Sequence, residues 1–199
     1  MSTLYQKAQF VLSAADLKQL PSDTGVEVAI VGRSNAGKSS VLNRLTRKKQ
    51  LARVSKTPGR TQLINVFQLD HHKRLIDLPG YGFANVPVAV RKQWEKLINA
   101  YFEERESLQG VLLIMDIRHP LKPLDEHLLQ YCAERAIKVH VLLNKADKLS
   151  KGAALQTLQK VKAALDTAAT VQLFSALDGA GSRELEHCLN AWYSFDDGK

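Results

Sequence analysis

Short apolar runs recur along the chain, separated by longer stretches in which apolar residues return every three or four positions. Runs of that length predict buried strands, and the spacing of three or four predicts helices with one buried face. The predicted strands cover residues 26–32, 63–69, 74–78, 111–116, 138–143 and 170–175. The predicted helices cover residues 38–46, a long segment after Pro87, and residues 123–135, 153–167 and 182–194.

This order of elements predicts the fold class. Strands that alternate with helices form a mainly parallel sheet with helices on both faces. The second and third strands are the exception, because only a short polar link from Asp70 to Lys73 separates them, which predicts a β-hairpin. We therefore expect an α/β protein, a three-layer α/β/α sandwich with a mainly parallel six-stranded sheet and one antiparallel edge strand.

The regular pattern starts at residue 26, after a segment that ends in the turn-like sequence PSDTG. We expect residues 1–25 to be an extension packed on a single domain of residues 26–195. Residues 47–60 show neither periodicity and are expected to form a mobile loop. A chain of 199 residues is long enough for one domain with a substantial core.

Composition and targeting signals bear on where the protein works. The chain is 45% apolar and 24% charged, which is typical of a globular protein. No apolar run approaches the roughly 18 residues that cross a bilayer, and no signal-peptide or lipidation pattern is present. The two cysteines, Cys132 and Cys188, lack metal-ligand spacing and suit a reducing compartment. We expect a monomeric cytoplasmic protein with no membrane and no DNA partner.

The charge is concentrated in one part of the chain. The formal net charge is +8, but residues 33–74 hold eleven Lys or Arg and one acid, so they carry +10 and the other residues sum to −2. Such clustering is typical of a protein that binds a polyanion. The alternative is a solvated basic face that partly serves nucleotide phosphates, but phosphates need only one or two of these side chains. We favour a nucleic-acid partner.

The segment from Gly32 to Ser39 satisfies the pattern G-x-x-x-x-G-K-S and stands between a predicted strand and a predicted helix. Its glycines let backbone N–H groups turn towards phosphates, and the helix N-terminus adds the positive end of its dipole. Lys38 is expected to reach the β- and γ-phosphates, and the Ser39 hydroxyl to bind Mg²⁺. The alternative is an ordinary glycine-containing turn, which this context disfavours.

Three further motifs each lie at the end of a predicted strand or directly after it. In the sequence DLPG, Asp77 is expected to hold Mg²⁺ through water, and the N–H of Gly80 to face the γ-phosphate. In the sequence NKAD, the carboxylate of Asp147 can accept the N–H donors at N1 and N2 of guanine, which adenine does not offer, so the motif favours GTP over ATP. In the sequence FSA, the N–H of Ala176 could close the base pocket.

The basic loop contains the sequence TPGRT, residues 57–61. Thr61 can complete the Mg²⁺ coordination when GTP is bound and release it after hydrolysis, which would make the loop a switch. The alternative is an ordinary turn with an incidental threonine.

Together these motifs resemble the EngB family of bacterial GTPases, within the Era-like class. The resemblance covers nearly the whole chain and rests on GRSNAGKSS, SKTPGRTQLINVF, DLPGYGFA, MDIRHPLKPLD and NKADKLS. It implies a P-loop NTPase fold of the Ras-like G-domain type and a cytoplasmic enzyme that hydrolyses GTP to GDP with Mg²⁺. It also implies a role in normal cell division and septation and in assembly of the large (50S) ribosomal subunit. The implied partners are GTP, GDP and the large subunit with its rRNA.

The resemblance further implies a set of site residues, carried over position by position. Contact with the nucleotide is implied for Gly32, Arg33, Ser34, Asn35, Ala36, Gly37, Lys38, Ser39, Ser40, Gly59, Arg60, Thr61, Gln62, Leu63, Asp77, Leu78, Pro79, Gly80, Asn144, Lys145, Ala146, Asp147, Phe174, Ser175 and Ala176. Mg²⁺ is expected on Ser39 and Thr61, and on Asp77 through water. The groups expected to act in catalysis are Lys38, Thr61 and Gly80.

Hydrolysis by the isolated protein is expected to be very slow. Ras-like enzymes usually place a water-orienting Gln directly after the D-x-x-G glycine, where this chain has Tyr81. Even Ras turns over at roughly 10⁻⁴ s⁻¹ until a partner supplies an arginine. Asn35 matches an asparagine by which some related GTPases hold K⁺ against the phosphates, so K⁺-assisted hydrolysis is one hypothesis. The alternative is that Asn35 stabilises a turn. Arg118, His119 and Pro120 are expected to form a structural loop, and the alternative is a catalytic role for His119.

Two functions remain in competition. An assembly GTPase would dock on ribosomal RNA in its GTP form, and its binding should weaken with salt and when Arg47, Lys48 and Lys49 are neutralised. The alternative is a slow GTP/GDP-sensing scaffold that docks on division proteins and need not show that dependence. A switch in membrane traffic is disfavoured, because lipidation signals are missing.

Overall fold

The computed structural model describes residues 4–52, 63–81, 88–165 and 169–194. Within these ranges seven strands form one sheet: β1 (Gln9–Ala14), β2 (Val26–Gly32), β3 (Ile64–Gln68), β4 (Lys73–Asp77), β5 (Leu108–Asp116), β6 (Val139–Asn144) and β7 (Ala169–Leu173). Five α-helices accompany them: α1 (Lys38–Thr46), α2 (Val88–Glu104), α3 (Pro123–Glu134), α4 (Lys151–Ala164) and α5 (Ser182–Tyr193). Short 3₁₀ turns cover Tyr5–Lys7, Leu17–Gln19 and Ala146–Lys148.

The strands lie in the order β1-β3-β4-β2-β5-β6-β7. Strands β4, β2, β5, β6 and β7 are parallel, whereas β3 is antiparallel to both of its neighbours. The predicted α/β sandwich with a mainly parallel sheet is therefore confirmed, and so is the β3–β4 hairpin. The carboxyl ends of five parallel strands meet along one edge of the sheet.

The sheet has seven strands where the sequence predicted six, and the antiparallel strand lies inside the sheet rather than at its edge. The additional strand is β1, which pairs with β3 from Gln9 opposite Gln68 to Ala14 opposite Ile64. Most of its side chains are exposed. Its apolar residues, Phe10 to Leu12, are exposed or half-buried, unlike those of the buried strands, and pairing with a strand far along the chain makes the segment part of the sheet.

Helices cover both faces of the sheet. Side chains of β2 alternate between the faces, so Ala29 and Val31 enter one hydrophobic core while Val28 and Ile30 enter the other. Helices α2, α3 and α4 contribute to the first core, and α1 and α5 contribute to the second. No helix within the described ranges is long and apolar enough to cross a membrane.

At the amino end of β2, Glu27 is completely buried and is balanced by two arginines. Its carboxylate accepts hydrogen bonds from Arg74 at 2.9 Å, from Arg105 at 2.5 Å and from the Tyr101 hydroxyl at 2.9 Å. A buried carboxylate that lost such partners would be strongly destabilising. Both arginines also donate to carbonyls of residues 21–24, so this cluster ties the segment before β2 to β4 and to the end of α2.

Candidate nucleotide-binding site

The predicted motifs lie together at the edge where the parallel strands end. Strand β2 ends at Gly32, β4 at Asp77 and β6 at Asn144, and β7 ends directly before Phe174. Ligands of open α/β sheets bind outside this edge. The structure thus brings four motifs from distant parts of the chain to one place.

Residues 32–39, the phosphate loop, connect β2 to α1 through two left-handed residues. Asn35 has a φ angle of +64° and Gly37 one of +96°, in a region that glycine and asparagine adopt most readily. A Cβ atom on Gly37 would lie 2.3 Å from Nδ2 of Asn144, so the position also requires glycine for space. Left-handed turns of this kind aim successive N–H groups into one concavity, which at the start of a helix suits a phosphate.

Lys38, the first residue of α1, forms an ion pair with Asp77 at the end of β4. The other carboxylate oxygen of Asp77 accepts a hydrogen bond from Nδ2 of Asn65 at 3.2 Å. Together with Ser39, these side chains line a cavity of about 500 Å³. The motifs do not predict Asn65, but it lies directly opposite Asp77 in the β3–β4 hairpin, and a polar residue in that register is the signal that could have found it.

The oxygen atoms of this cavity fit Mg²⁺, which prefers hard oxygen ligands and retains several waters. The Ser39 hydroxyl and the Asp77 carboxylate are ligands of that kind, and they are the described residues that would hold the ion. The further predicted ligand, Thr61, lies outside the described residues, as do Gly59, Arg60 and Gln62.

Asn144 and Lys145 join the phosphate loop to the loop between β7 and α5, residues 174–181, which we call the base loop. Nδ2 of Asn144 donates to the carbonyl of Ala36 at 2.8 Å, and its Oδ1 accepts the N–H of Ala176 at 3.2 Å. That N–H, predicted to face the base, is therefore engaged by Asn144 in this structure. Nζ of Lys145 donates to the carbonyl of Asn35 at 2.6 Å. The three segments form one hydrogen-bonded unit.

Asp147 lies on the exposed side of this unit. Its Oδ1 accepts a hydrogen bond from the Ser175 hydroxyl at 2.8 Å. This bond lowers the pKa of Asp147, so the carboxylate is charged at neutral pH. A charged carboxylate held in a fixed orientation can accept a pair of N–H donors from a ligand, as the motif predicts for guanine.

Asp116, at the end of β5, is a site residue that the motifs do not predict. Its carboxylate accepts hydrogen bonds from Nζ of Lys145 at 2.9 Å and from the Arg118 guanidinium at 2.7 and 3.0 Å. Burial acts to raise the pKa of Asp116, but these bonds outweigh it and hold the pKa well below its ordinary value. Asp116 therefore orients Lys145, and Arg118 is the second cation that pairs with Asp116. An acid at the last position of a strand at this edge is the signal that points to it.

Arg44, on α1, is a second residue that the motifs do not predict. Its Nε donates to the carbonyl of Ala176 at 2.8 Å, and a terminal nitrogen donates to the carbonyl of Leu177. Arg44 thus holds the base loop against the helix that begins at the phosphate loop. No local pattern signals this contact, because its two ends lie 132 positions apart in the chain.

The other predicted residues take several positions around the site. Leu78 and Phe174 are completely buried, so only their backbone groups remain for contact with a ligand. Leu63 is 37% exposed and directly precedes β3. The phenol of Tyr81 points into the protein and donates to Asp125 at 2.6 Å. Of the remaining predicted positions, Ser40 lies in the first turn of α1 and Ala146 begins a 3₁₀ turn, while the loops at this edge hold Arg33, Ser34, Pro79 and Gly80.

Comparisons with known proteins identify relatives of this chain. The protein family described as 50S ribosome-binding GTPase matches residues 27–145. A probable GTP-binding protein EngB of Alteromonas mediterranea is 53% identical over 195 residues, covering 96% of this chain and 92% of that protein. A protein of the same description from Coxiella burnetii is 51% identical over 193 residues, covering 96% and 94%. A crystal structure of a probable GTP-binding protein EngB is similar in fold, with a TM-score of 0.70 at 22% identity over 84% of this chain and 98% of that one.

Proposed function

Because the chain belongs to the EngB family of GTP-binding proteins, we propose that it hydrolyses GTP to GDP with Mg²⁺ in the cytoplasm and acts in assembly of the large ribosomal subunit. We include in this proposal the requirement for normal cell division and septation that the resemblance implies. The observation that carries the nucleotide part is the link, through Asn144, between the phosphate loop and the base loop, beside the charged carboxylate of Asp147 that Ser175 orients.

The site supports a guanine nucleotide that lies along the carboxyl edge of the sheet. The N–H groups of the phosphate loop would cradle the phosphates, and Asp147 would accept N1–H and N2–H of guanine. Lys38 pairs with Asp77 in this structure. When the nucleotide binds, the Lys38 ammonium would therefore leave the Asp77 carboxylate and pair with phosphate oxygens instead. Ser39, Thr61 and, through water, Asp77 would hold Mg²⁺, which supplies positive charge at the β- and γ-phosphates.

Slow hydrolysis is part of the proposal. Lys38, Thr61 and the N–H of Gly80 are the groups assigned to the γ-phosphate, and the side chain of Tyr81 is turned away from the site towards Asp125. No side chain from that position would orient the attacking water.

Asn35 is the residue that would hold K⁺, although its left-handed backbone is by itself a sufficient reason for an asparagine. Equal rates in K⁺ and Na⁺ buffers would remove K⁺ from the proposal.

A basic surface beside the nucleotide site supports the ribosomal partner. A cavity of about 750 Å³ lies between the end of α1 and the start of α5. Two acids, Asp178 and Glu186, line one part of it, whereas its basic side is lined by Arg44, Arg47, Lys48 and Lys49. The positive end of the α5 dipole also faces this region. Phosphate groups of RNA are the partner that such a surface fits.

The experiment that tests the ribosomal role is co-sedimentation of the protein with 30S, 50S and 70S particles, with GDP and with a non-hydrolysable GTP analogue, at low and high salt. We expect binding to 50S particles that requires the GTP analogue and weakens with salt. Absence of binding in both nucleotide states at low salt would contradict the assembly role. It would favour the alternative, a GTP/GDP-sensing scaffold that docks on division proteins.

A further inference from the structure

The residue directly after Gly80 is anchored in the protein rather than exposed at the site. Tyr81 is 4% exposed, and its hydroxyl donates to Oδ1 of Asp125 at 2.6 Å. Asp125 is 1% exposed, and its other oxygen accepts the N–H of Lys122 at 3.0 Å, at the start of α3. Burial raises the pKa of Tyr81, so the phenol keeps its proton and remains the donor at neutral pH.

The backbone of Tyr81 is held as firmly as its side chain. Its N–H donates to the carbonyl of Gly32 at 3.3 Å, and its carbonyl accepts the N–H of Ser34 at 2.8 Å. These bonds continue the pairing of β2 with β4 beyond the ends of both strands. Tyr81 is therefore tied to the phosphate loop by its backbone and to α3 by its side chain.

This anchoring bears on the N–H of Gly80, one residue earlier. On the proposed function, that N–H contacts the γ-phosphate, which GTP has and GDP lacks. If the peptide is held in place before the nucleotide binds, little conformational entropy is lost when the contact forms. If the peptide is loose, it must become ordered when the γ-phosphate binds. The conformational entropy lost in that ordering weakens the binding of GTP but not the binding of GDP.

We propose that Tyr81 and Asp125 are positioning residues whose hydrogen bond holds the Gly80 peptide ready for the γ-phosphate, and that they thereby raise the affinity for GTP relative to GDP. The inference rests on the proposed function. A purely structural role for the same hydrogen bond would lower the stability of the fold and affect both nucleotides alike.

The chain contains a matched control for the structural role. The hydroxyl of Tyr101 donates to Oε2 of Glu27 at 2.9 Å, and both residues are completely buried. This pair also joins a phenol to a carboxylate, but it lies at the amino end of β2, whereas the phosphate loop follows the carboxyl end. Tyr101→Phe therefore removes a similar hydrogen bond far from the nucleotide.

The test compares wild type, Tyr81→Phe and Tyr101→Phe in three measurements: the Kd of GDP, the Kd of a non-hydrolysable GTP analogue, and the free energy of unfolding in urea. We expect both variants to lose stability. We expect Tyr81→Phe to raise the Kd of the GTP analogue about fivefold to tenfold while the Kd of GDP stays within about twofold, as for the loss of one hydrogen bond. Tyr101→Phe should leave the ratio of the two Kd values unchanged.

A second variant tests the same bond from its other partner. Asp125→Asn keeps the size of the side chain and retains a neutral acceptor. It should therefore raise the ratio of the Kd of the GTP analogue to the Kd of GDP, but by less than Tyr81→Phe does. Equal changes of both Kd values in Tyr81→Phe, or an equal change of the ratio in Tyr101→Phe, would overturn the inference while leaving the GTPase function in place. Failure of the wild type to bind the GTP analogue would instead contradict the proposed function.

Discussion

At the scale of single residues, the state of the carboxylate proposed to bind the base depends on its neighbours. The Ser175 hydroxyl donates to Asp147 at 2.8 Å and lowers its pKa, and Lys148 lies 3.3 Å from the other oxygen and acts in the same direction. A charged carboxylate presents acceptors and no donors. It therefore matches a base edge that offers two adjacent N–H groups, and it repels one that offers a carbonyl.

Replacing this carboxylate by an amide should change the preferred base. In Asp147→Asn one acceptor becomes a donor, and xanthine carries a carbonyl where guanine carries its 2-amino group. We expect the affinity for GDP to fall about a hundredfold and the affinity for xanthosine diphosphate to rise, because one hydrogen bond to a charged group is lost and the new amide N–H opposes a guanine N–H. Calorimetric titration with both nucleotides measures the change.

The control for this variant is Asp70→Asn, the same substitution in the turn between β3 and β4. It should leave both affinities as in the wild type. An unchanged preference for GDP in Asp147→Asn would contradict the assignment of Asp147 to the base.

At the scale of elements, α1 is connected to both halves of the site. Its first residue, Lys38, pairs with Asp77 at the end of β4, and Arg44 holds the base loop through the carbonyls of Ala176 and Leu177. The helix has nine residues and packs its apolar side on the second core. Its position therefore sets how far the base loop lies from the phosphate loop.

Removing the contact between α1 and the base loop should weaken nucleotide binding without changing the choice between GTP and GDP. Arg44→Ala deletes both donors, while the Asn144 contacts remain. We expect the Kd of GDP and of a GTP analogue to rise by the same factor, about tenfold, because hydrogen bonds from a charged donor contribute about 1.5–3 kcal/mol. Fluorescent nucleotide titration measures both constants.

Arg183→Ala provides the matched control, because Arg183 is an exposed arginine on α5 and its loss changes the net charge equally. It should bind nucleotides as the wild type does. If Arg44→Ala also behaved like the wild type, the base loop would not depend on α1.

At the scale of the whole molecule, the two ends of the sheet differ in their chemistry. The amino end holds the buried cluster around Glu27, in which charges are paired and shielded. The carboxyl end holds the nucleotide motifs, and the basic cavity lies beside them, between α1 and α5. A polyanion that docks on this side would lie next to the base loop, so nucleotide state and docking can influence each other there.

The position of the basic residues predicts which charges matter for RNA. Neutralising Arg47, Lys48 and Lys49 together should weaken binding to 50S particles and make it less dependent on salt. Each phosphate contact contributes roughly 0.7–0.9 to the slope of log K against log salt, so the slope should fall by about 2. Sedimentation over a range of salt concentrations measures it.

The control neutralises Lys151, Lys160 and Lys162, three exposed lysines on α4, which packs on the opposite face of the sheet. This variant has the same net charge, so it separates the position of the charge from its total. Equal losses in the two triple variants would contradict a docking surface at the end of α1.

Local sequence patterns predicted six of the seven described strands, the five α-helices and the residues expected to touch the ligand. Strands β2, β5 and β6 were predictable because each is a local run of buried apolar residues, and Gly37, Lys38 and Asp147 because each belongs to a short motif with a fixed spacing. Such patterns depend on neighbours within a few positions, so they can be read without knowing the fold.

The seventh strand and the residues that hold the site together follow from contacts between distant parts of the chain. Strand β1 has exposed side chains, and its place depends on pairing with β3. Arg44, Asp116 and Asp125 contact protein groups from 29 to 132 positions away, and the motifs assign none of them a role in the site. Such contacts depend on which elements the order of the strands brings side by side. A pattern of residues within a few positions of one another does not show which distant elements will be neighbours.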